Sequence, residues 1–126
     1  MSRSPLKILV VDDEPPLREL VVVTLGDGYT CDEVSNGDAA LERLRETRYE
    51  LVMLDVMMPG RSGIEVLREM RSDEALRDIP VVVMSAWQSA QDVDAALAAG
   101  ANGFLAKPFR VEELDSTVRD AIGGSA

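Results

Sequence analysis

The sequence contains no histidine, and Cys31 is its one cysteine among 126 residues. Without histidine, the chain cannot carry a Ser-His-Asp triad, a Cys-His pair, a histidine metal ligand or a phosphohistidine of its own. A single cysteine excludes an intrachain disulfide and any zinc site that is built from several thiolates. The composition therefore predicts a protein of the reducing cytoplasm.

Positive charge and long apolar runs are also scarce. The chain carries 13 Lys and Arg against 23 Asp and Glu, which gives a formal net charge of −10. An acidic surface repels phosphate backbones and anionic lipid, so we expect no direct binding of this domain to nucleic acid or membrane. A fused output domain could still bind DNA. No apolar run has the length of a membrane span, and Met1 to Pro5 lacks the apolar core of a signal peptide.

Five short apolar runs alternate along the chain with five amphipathic patterns. The runs start at Lys7, Thr30, Leu51, Pro80 and Gly103. Such alternation is typical of a parallel sheet with right-handed crossovers and helices on both faces. It predicts an α/β, flavodoxin-like fold, a doubly wound five-stranded parallel sheet of order 2-1-3-4-5 with five helices. We expect residues 1–126 to form a single domain, with its core over roughly residues 6–122.

Apolar residues spaced three and four apart predict which helix faces point inward. The predicted apolar faces are formed by Leu17, Leu20, Val21, Thr24 and Leu25 in the first helix, Ala40, Leu41 and Leu44 in the second, Ile64, Leu67 and Met70 in the third, and Val93, Ala96 and Leu97 in the fourth. Val111, Leu114, Val118 and Ile122 mark the last helix. The polar stretch Arg71 to Asp78 is predicted to be a loop.

Residues capable of chemistry stand where four of the five runs end: Asp12 and Asp13, Asp55, Ser85, and Lys107. Taken singly, each has a structural explanation as a helix cap, a turn residue or a solvated surface charge. In the predicted strand order, however, all of them reach the same edge of the sheet, which is where ligands bind in such folds.

Three neighbouring carboxylates raise one another's pKa, and a divalent cation relieves their repulsion. Mg²⁺ is the best candidate, with Mn²⁺ as an alternative, because Mg²⁺ takes one or two carboxylates and leaves room for water and a phosphate oxygen. Such a site favours phosphoryl transfer. Asp55 is then the candidate nucleophile, Lys107 supplies positive charge and Ser85 a hydroxyl donor.

The sequence resembles the receiver domain of two-component response regulators over roughly Lys7 to Ile122. The matching segments are ILVVDDEPP, LVMLDVMMPGRSG, PVVVMSA and GANGFLAKPF, in that order. The resemblance implies that Asp55 accepts a phosphoryl group from a histidine kinase or a histidine phosphotransfer protein. It implies a signalling phosphoacceptor that catalyses only its own phosphorylation and dephosphorylation, and is not otherwise an enzyme. Output is expected through the fourth helix, fifth strand and fifth helix, toward an output protein or a fused effector domain.

The resemblance also implies how the metal is held. Asp13 is expected to ligate Mg²⁺ directly and Asp12 largely through water. Asp55 and the backbone carbonyl of Met57 are expected to join the shell.

The resemblance further implies a switch. Lys107 is expected to pair with the acceptor carboxylate and then with the phosphoryl oxygens, and the Lys107-Pro108 bond to be cis. Ser85 and Phe104 match the family's switch pair, in which the hydroxyl moves toward the phosphate and the ring turns into the space behind it. Because phenylalanine has no hydroxyl to satisfy, we expect Phe104 to favour the inward position.

Met57 and Trp87 lie two residues after Asp55 and Ser85, at positions that in the family influence attack of water on the phosphoryl group. Both are large and apolar, which predicts a long-lived phosphorylated form. The alternative is that Met57 is an adaptable packing residue and Trp87 a loop side chain.

Three other functions fit the sequence less well. An aspartyl-phosphate hydrolase of the haloacid dehalogenase type wants a second Asp where this chain has Met57. A flavin or nucleotide carrier wants a glycine- or hydroxyl-rich phosphate loop where Asp12 and Asp13 stand. A degenerate receiver that serves only protein interaction or dimerisation is opposed by the presence of every active-site position. The tail Gly123 to Ala126 suits a natural end and the start of a linker equally.

Overall fold

The strand order confirms the predicted doubly wound sheet. In the computed structural model, residues 6–26, 28–86 and 90–124 are described. The strands are β1 (Leu6–Val11), β2 (Tyr29–Val34), β3 (Leu51–Asp55), β4 (Val81–Ser85) and β5 (Gly103–Ala106). They form one sheet of order β2-β1-β3-β4-β5, in which every neighbouring pair is parallel. The carboxyl ends of β1, β3, β4 and β5 therefore share one edge.

A helix follows each strand, and α1, α2 and α3 begin at recognisable signals. They are α1 (Pro15–Leu25), α2 (Gly37–Glu46), α3 (Gly63–Ser72), α4 (Ala90–Ala98) and α5 (Val111–Gly124). Two prolines open α1, where a missing N–H goes unused. Asn36 caps α2 by accepting a hydrogen bond from the Ala39 N–H at 2.8 Å. Ser62 and Glu65 form a capping box that starts α3.

The sheet separates two layers of apolar side chains, as expected when alternate strand residues point to opposite faces. In β3, Leu51 and Met53 pack with α1 and α5, whereas Val52 and Leu54 pack with α2 and α3. All four are fully buried. Continuous burial of this kind is what a parallel strand covered on both faces requires.

Two of the residues predicted to face inward are exposed, and those predictions are wrong. Leu20 is 42% exposed and Leu97 is 49% exposed. Each lies beside residues that are buried, such as Val21 in α1 and Ala96 in α4. The spacing of apolar residues identifies the apolar face of a helix, but it does not show how much of that face the sheet covers.

The boundary predicted between α3 and the following loop is also wrong. Arg71 and Ser72 belong to α3, and the turn segment begins at Asp73. Leu76 and Ile79 in that segment are buried. Within the described part of the chain, none of the helices combines the length and apolarity that crossing a membrane would need.

Candidate functional site

Three polar residues lie buried at the carboxyl edge of the sheet. Asp12 follows β1 and is 0% exposed, Asp55 ends β3 and is 2% exposed, and Ser85 ends β4 and is 1% exposed. They are the buried polar or charged residues among those that the structure describes. Carboxylates are rarely buried unless something pairs with them. The burial of three polar residues at this edge therefore indicates a functional site.

Lys107, which follows β5, is the cation that these carboxylates share. Its Nζ atom lies 2.9 Å from Asp12 Oδ2, 3.1 Å from Glu14 Oε1 and 3.3 Å from Asp55 Oδ1. Burial by itself would lower the pKa of Lys107. The hydrogen bond to Asp12, the charge of Asp55 and the hydrogen bond to Glu14 outweigh burial, and the pKa is raised. Lys107 is therefore held as a cation.

The charge of Asp55 is less well compensated by its surroundings than the charge of Lys107 is. Burial, and after it the negative charge of Asp12, raise the pKa of Asp55 from its ordinary value to about 6. The positive charge of Lys107 and a hydrogen bond from the Met57 N–H to Asp55 Oδ1 at 3.3 Å act in the opposite direction. Burial and the charge of Asp12 thus outweigh the two groups that favour the ionised form of Asp55.

Backbone hydrogen bonds hold the ends of the strands in register at the site. The Lys107 N–H donates to the Ser85 carbonyl at 2.8 Å, and the Val56 N–H donates to the Met84 carbonyl at 3.0 Å. The Lys107-Pro108 peptide bond is cis, the isomer that the resemblance implies. Asp55, Ser85 and Lys107 are thereby placed at the ends of three adjacent strands.

Gly63, the first residue of α3, lets the helix pass against the backbone of Asp55. A Cβ atom at this position would lie 2.1 Å from the Asp55 carbonyl oxygen, too close for any side chain. The Gly63 N–H donates to the Val56 carbonyl at 3.0 Å. Glycine is therefore required here by close approach, and it ties the start of α3 to the end of β3.

The acidic segment after β1 completes the site. Carboxylate oxygens of Asp12, Asp13, Glu14 and Asp55 all lie within 4.8 Å of one another. Asp13 and Glu14 are exposed, so part of the cluster faces water. Four oxygen donors, an excess of negative charge and access for water suit a hard cation such as Mg²⁺, which keeps several water ligands. The residues present fit the ion that the sequence predicts.

Glu14 is the member of this cluster that the sequence did not single out. It occupies the N-cap position of α1, but its side chain makes no capping hydrogen bond and lies against Lys107 instead. Its position directly after Asp12 and Asp13 is the signal that could have identified it.

The remaining predicted site residues are less closely gathered. The Met57 side chain is 53% exposed beside Asp55. Phe104 in β5 is partly buried and packs against the layer that contains α2 and α3. Trp87 lies outside the described residues. The ligand role of the Met57 carbonyl, the switch and the rate effects stay predictions.

Comparison with known proteins gives a consistent result. The family model "Response regulator receiver domain" matches residues 8–119. DNA-binding response regulator MtrA of Mycolicibacterium smegmatis is 40% identical over 114 residues, covering 90% of this chain and 49% of that protein. Two-component response regulator PhoP of Pseudomonas aeruginosa is 38% identical over 122 residues, covering 96% of this chain and 53% of that protein. The chain thus spans about half the length of these relatives.

Solved structures agree with the sequence matches. Chemotaxis protein CheY4 of Vibrio cholerae superimposes with a TM-score of 0.88 at 30% identity, covering 94% of this chain and 99% of that one. The receiver domain of sensor histidine kinase PA1611 from Pseudomonas aeruginosa, described with a magnesium ion coordinated in the active-site cleft, gives 0.87 at 30% identity, covering 95% and 99%. By fold, site and sequence, this chain belongs to the receiver domain family of two-component response regulators.

Proposed function

We propose that Asp55 accepts a phosphoryl group from the phosphohistidine of a histidine kinase or histidine phosphotransfer protein, in a reaction that depends on Mg²⁺. One observation carries the proposal: Asp55 is buried at the end of β3, 3.3 Å from the Lys107 ammonium and inside a group of four carboxylates. In the reaction, a carboxylate oxygen of Asp55 bonds to phosphorus while the bond from phosphorus to the donor nitrogen breaks. The electron pair of that bond remains on the imidazole, which leaves.

The acidic group supplies the metal site. Asp12, Asp13 and Asp55 would hold the ion together with the Met57 carbonyl, with Glu14 at its margin. When bound, Mg²⁺ neutralises the repulsion among these carboxylates and offers positive charge to phosphoryl oxygens. The magnesium described in the PA1611 receiver domain supports this assignment.

Lys107 orients the acceptor before transfer and accommodates the product after it. Its ammonium is already shared among Asp12, Glu14 and Asp55. Once Asp55 is phosphorylated, its negative charge passes to the phosphoryl oxygens, and Lys107 follows that charge. A compact ammonium with three donors is suited to such a change of partner.

Phosphorylation is read out through the α4-β5-α5 surface. A dianionic group adds strong acceptor oxygens beside Ser85, and Phe104 in β5 responds by moving inward. The relatives MtrA and PhoP are about twice as long as this chain, and MtrA is described as DNA-binding. The output is accordingly a contact with a partner protein or a fused effector domain in the cytoplasm. The domain acts on no substrate besides its own phosphoryl group.

Met57 slows loss of the phosphoryl group by covering its exposed side. Met57 lies two residues after Asp55, its backbone N–H donates to Asp55 Oδ1, and it is 53% exposed. We expect the phosphorylated form of Met57→Asn, alone and combined with Trp87→Ala, to lose its phosphoryl group to water faster than phosphorylated wild type does. Unchanged rates in a phosphate-release assay would contradict this role.

Intact mass spectrometry tests the proposed function. Wild type should gain the mass of one phosphoryl group from acetyl phosphate in the presence of Mg²⁺. It should gain none when a chelator is added before the acetyl phosphate. Asp55→Asn should gain none, while Asp120→Asn, an exposed change in α5, should behave as wild type. Phosphorylation of Asp55→Asn, or none in wild type with either acetyl phosphate or a phosphorylated histidine kinase, would overturn the proposal.

A further inference from the structure

Arg18 in α1 reaches from the helix to the ends of two strands. Its Nη1 atom donates to the Asp12 carbonyl oxygen at 2.7 Å, and its Nε atom donates to Glu33 Oε1 at 3.2 Å. The Arg18 side chain is 18% exposed and that of Glu33 is 42% exposed. A largely covered guanidinium thus holds a backbone group of the acidic segment, and neither partner is a metal ligand side chain.

This contact completes a set of restraints on Asp12. Its N–H donates to the Val34 carbonyl at 3.2 Å, and its carboxylate accepts hydrogen bonds from the Glu14 N–H at 2.9 Å and from Lys107 at 2.9 Å. The Arg18 bond fixes the remaining polar group, the carbonyl, which begins the peptide unit leading to Asp13. The direction in which the chain leaves β1 is therefore set in part by Arg18.

We infer that Arg18 is a positioning residue for the Mg²⁺ site: by holding the Asp12 carbonyl, it orients the exposed carboxylates of Asp13 and Glu14 toward Asp55. The inference rests on the proposed function. Residues that orient metal ligands through hydrogen bonds typically contribute 10- to 100-fold to metal affinity.

Two effects of Arg18 on cation binding oppose each other. Its positive charge repels Mg²⁺, whereas its hydrogen bond holds the ligands in place before the ion arrives. Glu33 lies 3.2 Å from the guanidinium and cancels most of its charge at a distance. The ordering effect is therefore the larger one, and removal of Arg18 weakens binding instead of strengthening it.

Isothermal titration of the whole chain with MgCl₂ tests the inference. We expect Arg18→Ala to bind Mg²⁺ roughly tenfold or more weakly than wild type. Arg18→Lys, which retains the charge and an N–H donor group but not the guanidinium fork that reaches two partners, should lie between the two. Arg43→Ala is the matched control, because it removes the same charge and another helix-to-β2 ion pair, with Asp32 at 3.7 Å. Its affinity should equal that of wild type.

A second measurement needs no metal. In the metal-free protein, amide exchange at Glu14, whose N–H is held by the Asp12 carboxylate, should be faster in Arg18→Ala and in Arg18→Gln than in wild type. Arg18→Gln keeps a side-chain donor and serves if Arg18→Ala does not fold. Affinity equal to or tighter than wild type in a folded Arg18 variant would overturn the inference alone. A wild type that binds no Mg²⁺ would overturn the proposed function as well.

Discussion

Two partly buried cations stand at opposite ends of the sheet, and their partners differ. Lys107 at the carboxyl edge faces carboxylates of Asp12, Glu14 and Asp55. Arg71, near the amino end of β4, faces neutral oxygens. It donates to the Gly100 carbonyl at 3.0 and 2.8 Å, to the Arg77 and Ile79 carbonyls at 3.0 and 2.9 Å, and to Asn102 Oδ1 at 3.0 Å.

The partners decide what each cation can do. Burial lowers the pKa of Arg71, and the charge of Asp78 only partly offsets this. The hydrogen bonds of the Arg71 guanidinium go to neutral oxygens, most of them backbone carbonyls. Gly100 fits against the Arg71 side chain because it is a glycine: its φ is +108°, and a Cβ atom there would lie 2.8 Å from Arg71 Cγ. Lys107 instead sits in an excess of negative charge. The polar groups around Arg71 at the amino end of the sheet are therefore satisfied by one another, whereas the carboxyl edge favours binding of a further cation.

Loss of Arg71 should have the largest effect on stability. Arg71→Ala leaves the Gly100, Arg77 and Ile79 carbonyls without their donor, and we expect the free energy of unfolding to fall by about 3 kcal/mol. Urea denaturation should give the same loss with and without Mg²⁺. Arg68→Ala, an exposed change on the same helix, is the control and should cost little. If Mg²⁺ restored the stability of Arg71→Ala, this would contradict the distinction between the amino end and the carboxyl edge of the sheet.

Loss of Lys107 should come next, and its effect should depend on metal. Lys107→Ala leaves buried carboxylates without their cation, so we expect a loss of about 2 kcal/mol in metal-free buffer. Saturating Mg²⁺ should recover much of that loss because the ion replaces the missing charge. A deficit that is the same in chelator and in Mg²⁺ would show that the acidic group does not bind the ion.

Asp55→Asn should stabilise the metal-free protein. Because the pKa of Asp55 is raised to about 6, the folded state binds its proton more tightly than the unfolded state does. The stability that this adds is complete below the ordinary pKa of about 4 and is lost as pH rises through about 6. At pH 7.5 the charged group is a cost, and Asn should raise the free energy of unfolding by about 1–2 kcal/mol. Thermal unfolding should show this advantage shrinking as pH falls toward 4, and an advantage that stays constant with pH would mean that ionisation of Asp55 is not its cause.

Glu14→Gln should have the smallest effect on stability. The Glu14 side chain is 62% exposed, so solvent screens its ion pair with Lys107, and we expect a change within about 0.5 kcal/mol. Urea denaturation beside Glu42→Gln, an exposed glutamate of α2, would check it. A larger loss would mean that Glu14, and not only the buried carboxylates, holds Lys107 in place.

The sequence was sufficient to predict the strand order and the meeting of Asp12, Asp55, Ser85 and Lys107. Both follow from the alternation of elements and from the rule that parallel strands end together. These are properties of topology, and they survive errors of a residue or two in the boundaries. The exposure of Leu20 and Leu97 could not be predicted, because it depends on how the helices lie on the sheet.

The roles of Arg71 and Arg18 could not be predicted from the sequence for a different reason. Arg71 bonds to residues 6, 8, 29 and 31 positions away, and most of its partners are backbone carbonyls that any residue could supply. Arg18 likewise binds a carbonyl. A pattern of side chains carries no signal for such contacts, so a charged residue in a polar stretch resembles solvated surface until the fold is known.

The central claim is that the excess negative charge at the carboxyl edge serves phosphorylation of Asp55. The most direct test is to phosphorylate the wild type in Mg²⁺, reduce the acyl phosphate with borohydride and map the product by peptide sequencing with mass spectrometry. Reduction converts a phosphorylated aspartate to homoserine and leaves unmodified carboxylates intact. We predict homoserine at position 55 and at no other position. Homoserine at position 12 or 13, or a phosphate that resists reduction on Ser85, would contradict the assignment of Asp55 as the acceptor.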